Sequence, residues 1–358
     1  MKIVYLTSDY LPHIGGLENY VNSLAVHFSK NNTVVVITAD YEITNVQEYN
    51  EGNVKVIRIP AYCIAGIVVL KNNGKAIVEK EIRNANIVHL NNCKFLYSYL
   101  AKKKKLFNYK LILSSHGFLF HTQKHILLKK IYFKKVIMNY SEYYDKIICV
   151  SEQDHDIGTS YGLINMPVIY PGVDVYKFNQ LPPCKNDILH FVYYGRIAPN
   201  KGIYECLIKL SELNSFVFDI IGLCEDHEYM KKLQDVIINY SLQNKVNFVG
   251  RKTNDEIKQY LSSCDYILFP SLYEGFGMTL TETLLSGKKI IANTNTSFKK
   301  ILTTVKASQY LFDFENNSTH LIDKIKELEK TDILPQNVQQ YSEEEMLRRI
   351  EIEYDNIK

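Results

Sequence analysis

No cysteine pair in this 358-residue chain has the C-x-x-C spacing, and the cysteine count, seven, is odd. Those absences argue against a zinc ribbon or a disulfide scaffold and leave free thiols in a reducing compartment. No apolar stretch approaches the roughly 20 residues that cross a bilayer. The N-terminus, Met1-Lys-Ile-Val-Tyr-Leu-Thr-Ser8, turns polar too early for a signal peptide. A cytoplasmic protein is expected. Acidic residues are missing altogether from 82–141, where 12 Lys and Arg stand, including the run 102–105. Such a segment suits an anionic surface, or equally a solvated lysine-rich face. Within it, Lys124-His-Ile-Leu-Leu-Lys-Lys-Ile-Tyr-Phe-Lys-Lys-Val-Ile-Met138 interleaves lysines with apolar residues at near-helical spacing. One apolar face is expected on the protein, with Lys129, Lys130, Lys134 and Lys135 turned toward lipid headgroups.

What is present is a soluble-type composition, 46% hydrophobic and 23% charged, long enough for two domains. Strand-like runs recur at 2–7, 33–38, 54–59, 87–90, 110–114, 146–150 and 168–170. They continue at 190–194, 217–221, 245–249, 266–269 and 289–292. Many are continuous and β-branched, as strands buried on both faces of a parallel sheet are. Helical stripes lie between them. Leu17, Tyr20, Val21, Leu24, Ala25 and Phe28 form one apolar face, and Ile203, Leu207 and Leu210 a weaker one. This alternation predicts α/β architecture with doubly wound sheets. The sharpest break in composition, Leu181-Pro-Pro-Cys-Lys-Asn-Asp187, is read as the linker. It divides an N-terminal domain, 1–180, from a C-terminal domain, 187–341, and Ser342 with Glu345 reads as the capping box of a last helix, 342–358.

Four places could carry chemistry. Gly15 and Gly16 follow the first strand and open a helix, where backbone can approach a phosphate closely. In Gly195-Arg-Ile-Ala-Pro-Asn-Lys-Gly202, Arg196 leaves a strand end and Lys201 begins the next helix, so both can converge on a ligand at the carboxyl edge. A guanidinium and an ammonium suit a diphosphate. Glu274-Gly-Phe-Gly-Met-Thr-Leu-Thr-Glu282 places two carboxylates eight residues apart around a glycine turn, so both can face one ligand. The third glycine of a dinucleotide fingerprint is missing there. Finally, His116 ends a predicted strand in Leu113-Ser-Ser-His-Gly-Phe-Leu-Phe-His-Thr122, with His121 close behind.

The string from Glu274 to Glu282 resembles the E-x-F-G-x-x-x-x-E signature of the retaining glycosyltransferases of family 4, which have the GT-B fold. Arg196 and Lys201 match the family's G-R-x-x-x-x-K-G pattern, and Val168-Ile-Tyr-Pro-Gly-Val-Asp174 with Phe178 resembles the turn ending its first domain. The resemblance implies two Rossmann-like domains facing a central cleft, the first on the acceptor side and the second binding a nucleotide sugar, with the last helix crossing back onto the first domain. It implies that Gly15 and Gly16 face the donor diphosphate and that Arg196 and Lys201 stabilise it on departure. Glu274 would take hydroxyls of the transferred sugar, helped by backbone N–H groups of Phe276, Gly277 and Met278, and Glu282 would take the ribose. His116 would lie near the donor sugar, with His121 as a further sugar or acceptor contact. No metal and no cofactor are expected, on the reading that no Asp-x-Asp motif appears, so that Arg196, Lys201 and the glycine-loop dipole would take the place of a metal against the leaving charge.

The string around His116 and His121 also resembles mannosyltransferases of exopolysaccharide assembly that act on polyprenyl-diphosphate-linked sugars. The expected enzyme is therefore a metal-independent hexosyltransferase. It would move a sugar, with GDP-mannose favoured as donor, to a glycan or lipid-linked acceptor in cell-surface polysaccharide synthesis, without nucleic acid as partner. A peripheral position on the inner face of the membrane would follow. Two alternatives share the fold: a nucleotide-sugar epimerase and a non-catalytic nucleotide-sugar-binding partner subunit. One departure stands out: a glycine-rich loop with an acid often follows the second Glu, and here the chain reads Asn293-Thr-Asn-Thr-Ser-Phe-Lys299.

Overall fold

A computed structural model describes residues 1–13, 15–64, 67–71, 73–120 and 126–357. Two compact units divide the chain, one of Met1–Gly172 with Glu343–Lys358, the other of Val173–Ser342.

The first unit is built on β1 (Lys2–Thr7), β2 (Thr33–Asp40), β3 (Gln47–Glu51), β4 (Val54–Ile64), β5 (Ile67–Leu70), β6 (Ile87–Asn91), β7 (Lys110–Ser114) and β8 (Lys146–Ile148). The sheet runs β3-β4-β2-β1-β6-β7-β8, with β5 on β4. All pairs are parallel except β3 and β5, which run antiparallel to β4. Its helices are α1 (Gly16–Phe28), α2 (Gly74–Ile82), α3 (Tyr97–Phe107), α4 (Ile126–Tyr132), α5 (Met138–Ser141) and α6 (Glu152–Ser160). A π-helical stretch, Phe133–Ile137, joins α4 to α5.

Successive side chains of a strand point to opposite faces, and here both faces are covered. Val4 and Leu6 pack with Val35, Ile37, Val88 and Leu90 on one side. Ile3 and Tyr5 pack with Val34, Val36 and Ile112 on the other, under α1 and the C-terminal helix. That is why these strands read as unbroken apolar runs. The α1 stripe is buried at Tyr20, Val21, Leu24, Ala25 and Phe28, with Leu17 partly covered. Each large side chain so buried contributes about 1.5–3 kcal/mol.

The second unit contains β9 (Leu189–Tyr194), β10 (Phe216–Ile221), β11 (Val246–Gly250), β12 (Tyr266–Phe269), β13 (Lys289–Asn293) and β14 (Leu311–Phe312), ordered β11-β10-β9-β12-β13-β14 and parallel throughout. Its helices are α7 (Ile203–Leu210), α8 (His227–Asn239), α9 (Asn254–Ser263), α10 (Met278–Thr283), α11 (Thr296–Thr304) and α12 (Leu321–Glu329). The chain ends in α13 (Glu343–Asn356), which returns to the first unit and buries Met346, Ile350 and Tyr354. In each unit the strand order reverses beside the first strand, between β1 and β6 and between β9 and β12. Open α/β sheets bind ligands outside the carboxyl ends of their strands at that switch.

Three sequence expectations are corrected. The run 168–170 makes only an isolated bridge, Val168 to Cys149. The crossing between units falls at Gly172–Val173, not at the proline-rich segment. There Gly172 lies against Glu343, whose Cα would be 2.4 Å from a Cβ at that position. The expected linker belongs to the second unit. Leu181 N–H donates to the Ser286 carbonyl at 2.9 Å, and Asn186 N–H to Asp265 at 3.2 Å. Its polar, proline-rich composition marks a surface run, and a surface run need not be a boundary.

Candidate active site

In the second unit the carboxyl ends of β9 and β10 are stitched together. Gly195 N–H donates to Ile221, Ile197 N–H to Leu223, and Gly222 N–H to Gly250. Gly222 has φ +151°, and a Cβ there would sit 1.9 Å from the Gly195 carbonyl oxygen, so only glycine fits. The Tyr193 hydroxyl donates to the Arg196 carbonyl at 2.7 Å. The backbone beneath Arg196 is thus held from two sides. Its side chain is exposed, and among the described residues no carboxylate pairs with it.

The chain then turns through Pro199–Lys201 into α7. Gly202 at φ +64° presses against the end of β12, where a Cβ would be 2.1 Å from the Pro270 carbonyl oxygen. This close approach brings Lys201 to Glu274. Lys201 Nζ lies 2.5 Å from Glu274 Oε1, and the Ser271 hydroxyl donates to the same oxygen at 2.9 Å. Both charged side chains are largely covered, at 15% and 13% exposure. Burial raises the Tyr193 hydroxyl pKa, Glu274 raises it further and Arg196 opposes, so both charges act on one phenol.

The segment 293–299, which departs from the family's glycine-rich loop, has a supporting role. Asn295 donates to the Ser271 carbonyl at 2.6 Å while capping α11 through Phe298 N–H, and Ser297 donates to the Glu274 carbonyl at 2.7 Å. Gly277 at φ +108° lies against Phe298, and Phe276 is buried with its ring on Tyr341. Phe276 can therefore offer a ligand its backbone but not its ring. Beyond the turn, Glu282 on α10 is largely covered and paired with Lys177, whose Nζ is 3.1 Å from both carboxylate oxygens. Tyr194 donates to the Thr279 carbonyl at 2.7 Å and lies 3.4 Å from Glu282 Oε2.

In the first unit, Gly15 stands at the N-terminus of α1 with the Glu18 carboxylate folded toward it. The loop before it is anchored by Tyr10, whose hydroxyl donates to Asn22 at 3.0 Å. Arg58, buried, pairs with Asp40 at 2.8 Å and reaches the Tyr10 carbonyl at 3.4 Å. His116 follows β7 in a turn with φ of +42°, +75° and +48° at His116, Gly117 and Phe118. That conformation is costly for non-glycine residues and is held by buried Asp154, which accepts from Ser115 Oγ and from Gly117 N–H at 2.8 Å. The Tyr20 ring meets the His116 ring edge-on, centroids 4.7 Å apart. Behind it a buried chain runs from Tyr20 through Ser114, His89 and Tyr354 to Tyr5, each link 2.8–3.1 Å. Burial holds His89 down to about 3, so it is neutral. His121 lies outside the described residues.

Sequence reasoning missed Ser271, Asn295, Ser297, Lys177 and Asp154. The reading that no Asp-x-Asp motif appears is corrected: Asp154-His155-Asp156 is spelled as one, of the kind that holds a metal-bound nucleotide. Here Asp154 is buried and engaged with the His116 turn, whereas the Asp156 side chain is 79% exposed. The first is a structural anchor.

Two doubly wound sheets of this order, with a lysine–glutamate pair at the switch point of the second, are the architecture of the GT-B fold. The chain matches the family described as Glycosyltransferase Family 4 over 14–177 and that described as Glycosyl transferases group 1 over 180–345. It belongs to this glycosyltransferase family. Among curated relatives it is similar to the GDP-mannose:cellobiosyl-diphosphopolyprenol alpha-mannosyltransferase of Xanthomonas campestris, 27% identical over 307 residues, covering 80% of this chain and 77% of the relative. Among solved structures it resembles a sucrose-phosphate synthase from Thermosynechococcus elongatus, with TM-score 0.77, 15% identity, and coverage of 99% and 98%. It also resembles the Anabaena protein HepE in complex with UDP, with TM-score 0.76, 17% identity, and coverage of 99% and 100%.

Proposed function

We propose that the protein transfers a hexose, with retention, from a nucleotide diphosphate sugar to a polyprenyl-diphosphate-linked oligosaccharide in cell-surface polysaccharide synthesis. GDP-mannose is the first donor to test, because the Xanthomonas relative is named for it. The observation that carries the reading is the convergence of Lys201, Ser271 and Glu274 within 2.5–2.9 Å at the β9/β12 switch. An ammonium there meets the β-phosphate and a carboxylate meets sugar hydroxyls.

As the bond from the anomeric carbon to the phosphate oxygen breaks, the acceptor oxygen bonds to that carbon on the same face. The acceptor's proton passes to the departing diphosphate. Arg196 and Lys201 bind the charge that grows on the leaving group, so the reaction needs no metal in this reading. Glu282 takes the ribose. In the first unit, Gly15 and Gly16 would meet a phosphate with the Glu18 carboxylate, here folded toward Gly15, turned aside, and His116 offers an imidazole to a sugar hydroxyl.

A thermal-shift screen over GDP-, UDP-, ADP- and dTDP-sugars, each with EDTA, tests the donor. A ligand at 100 times its Kd adds about 2.7 kcal/mol, so one nucleotide class should raise Tm by several degrees. No shift with any of them would overturn the donor reading, and a shift abolished by EDTA would overturn metal independence.

A lipid-linked acceptor calls for a membrane-facing surface, and α4 supplies support for one. The expected face is redistributed. Phe133 and Ile137 are buried, while Leu127, Leu128 and Ile131 stand 72%, 58% and 59% exposed beside exposed Lys130, Lys134 and Lys135. Lys129 is half-buried. The run 102–105 is instead engaged within the protein, Lys103 with Glu79 and Lys104 with Asp145, both at 2.6 Å, and Lys102 and Lys105 over Tyr140 and Tyr143. No helix among the described residues is long and apolar enough to cross a membrane. Apolar residues flanked by lysines suit the interface of an anionic bilayer, each lysine adding about 1 kcal/mol. The protein should co-sediment with anionic but not neutral vesicles, and L127Q/L128Q/I131Q should weaken this more than tenfold. Equal binding to neutral vesicles, or an unaffected triple variant, would sink the idea.

A further inference from the structure

Nothing in the family motif assigns a role to Lys177, yet it is the charged group held against Glu282. The segment is fixed from both ends. Tyr176 N–H donates to Asp174 Oδ1 at 3.0 Å, Gln180 N–H donates to the Leu285 carbonyl at 3.1 Å, and Phe178 is buried with its ring 5.7 Å from that of Tyr194. Lys177 therefore leaves a rigid turn beside an anchored aromatic, its ammonium 5.1 Å above the Phe178 ring. It reaches both oxygens of Glu282 at the same distance, 3.1 Å, so the carboxylate is held symmetrically and cannot rotate without losing one contact.

We propose that Lys177 is a positioning residue of the donor site, fixing the orientation and the charge of Glu282 so that this carboxylate can accept the ribose hydroxyls. The inference rests on the assignment of Glu282 to the nucleotide. A carboxylate has about four acceptor positions, and one ammonium leaves each oxygen with a free one. The remaining groups facing Glu282 do not substitute for it. Tyr194 gives its hydroxyl chiefly to Thr279, and Asp174 is a like charge that disfavours ionisation. Burial pushes Glu282 above the usual carboxylate range and Lys177 pulls it back. Without Lys177, Tyr194 alone among the described residues opposes burial, so the carboxyl takes up its proton at a higher pH. A protonated carboxyl accepts fewer hydroxyls, and nucleotide affinity should fall with it.

Calorimetric binding of GDP and UDP between pH 6 and 8.5 tests this, on the full chain, with K177M, K177R, E282Q and K177M/E282Q. At pH 7.5, K177M should bind the preferred nucleotide about tenfold more weakly, the scale of one charge-assisted hydrogen bond. Its affinity should begin to fall at a higher pH than in the wild type, and K177R should restore both affinity and profile. E282Q reports titration of the diphosphate alone, and adding K177M to it should change nothing further. Thermal unfolding of each variant confirms that it is folded, and K177R keeps the test open should K177M fail that check. Wild-type affinity in K177M, tighter binding, or an equal loss when K177M is added to E282Q would overturn the proposal. If E282Q binds as the wild type does, the ribose assignment falls and Lys177 falls with it. If E282Q is weak and K177M is not, only Lys177 falls.

Discussion

Replacing Lys201 with alanine should lower kcat about 10²- to 10³-fold, the cost of losing one donor to a developing oxyanion. Arg196→Ala should cost a similar or smaller factor. The two differ in what surrounds them. Arg196 is exposed and unpaired among the described residues, so its loss should leave Tm unchanged and act on the diphosphate alone. Lys201 also touches Glu274 at 2.5 Å. Its removal leaves a largely covered carboxylate with, among the described residues, the Ser271 hydroxyl alone, so K201A should lower Tm by a few degrees as well. It should also disturb sugar recognition. Steady-state kinetics with the preferred donor, together with thermal unfolding, separate these effects. A variant that keeps near-normal kcat would remove its residue from the mechanism.

That the charged residues of this site could be found in sequence has a physical basis. Arg196 and Glu274 come within a few residues of the end of a short apolar strand, and glycines at 195, 202, 275 and 277 punctuate the turns that lead to Lys201 and Glu282, so local pattern fixes where a strand ends and a helix begins. The α1 stripe was legible for the same reason, since 3.6-residue periodicity is local. What escaped depends on contacts far along the chain. Lys177 meets Glu282 across 105 residues, and Ser297 meets Glu274 across 23. The segment 293–299 looked like a missing loop, whereas its Asn and Ser side chains brace the carboxylate loop from behind. Three strands, β3, β5 and β14, are missing from the sequence reading, the first and last for a different reason. Every residue of Gln47-Glu-Tyr-Asn-Glu51 is exposed, so β3 is defined by its ladder with β4 and has no apolar face to reveal it. In β14 only two residues pair. The run 168–170 erred the other way: its apolar residues suggested a strand, but only one bridge forms.

The two carboxylates of the glycine turn should fail in different ways when neutralised. Glu282→Gln should weaken the free nucleoside diphosphate about 10- to 100-fold, corresponding to about 1.5–3 kcal/mol for hydrogen bonds to a charged group. Glu274→Gln should leave that affinity within about threefold and lower kcat instead, because its ligand is the sugar, whose orientation matters most at the transition state. The environments support the division. Glu282 is held against Lys177 and Tyr194 on α10, where it can fix a group that does not react. Glu274 shares Oε1 with Lys201 and Ser271, so it is tied to the group that would meet the phosphate at the bond being broken. In E274Q an amide oxygen at the Oε1 position can keep both the Lys201 and the Ser271 bonds but not the charge, and a lysine no longer ion-paired should hold the free diphosphate as well as before or better. Calorimetry with the nucleotide alone and initial rates with the donor sugar decide between these outcomes. Equal losses of affinity in both variants, with no separate effect on kcat, would end the division of roles.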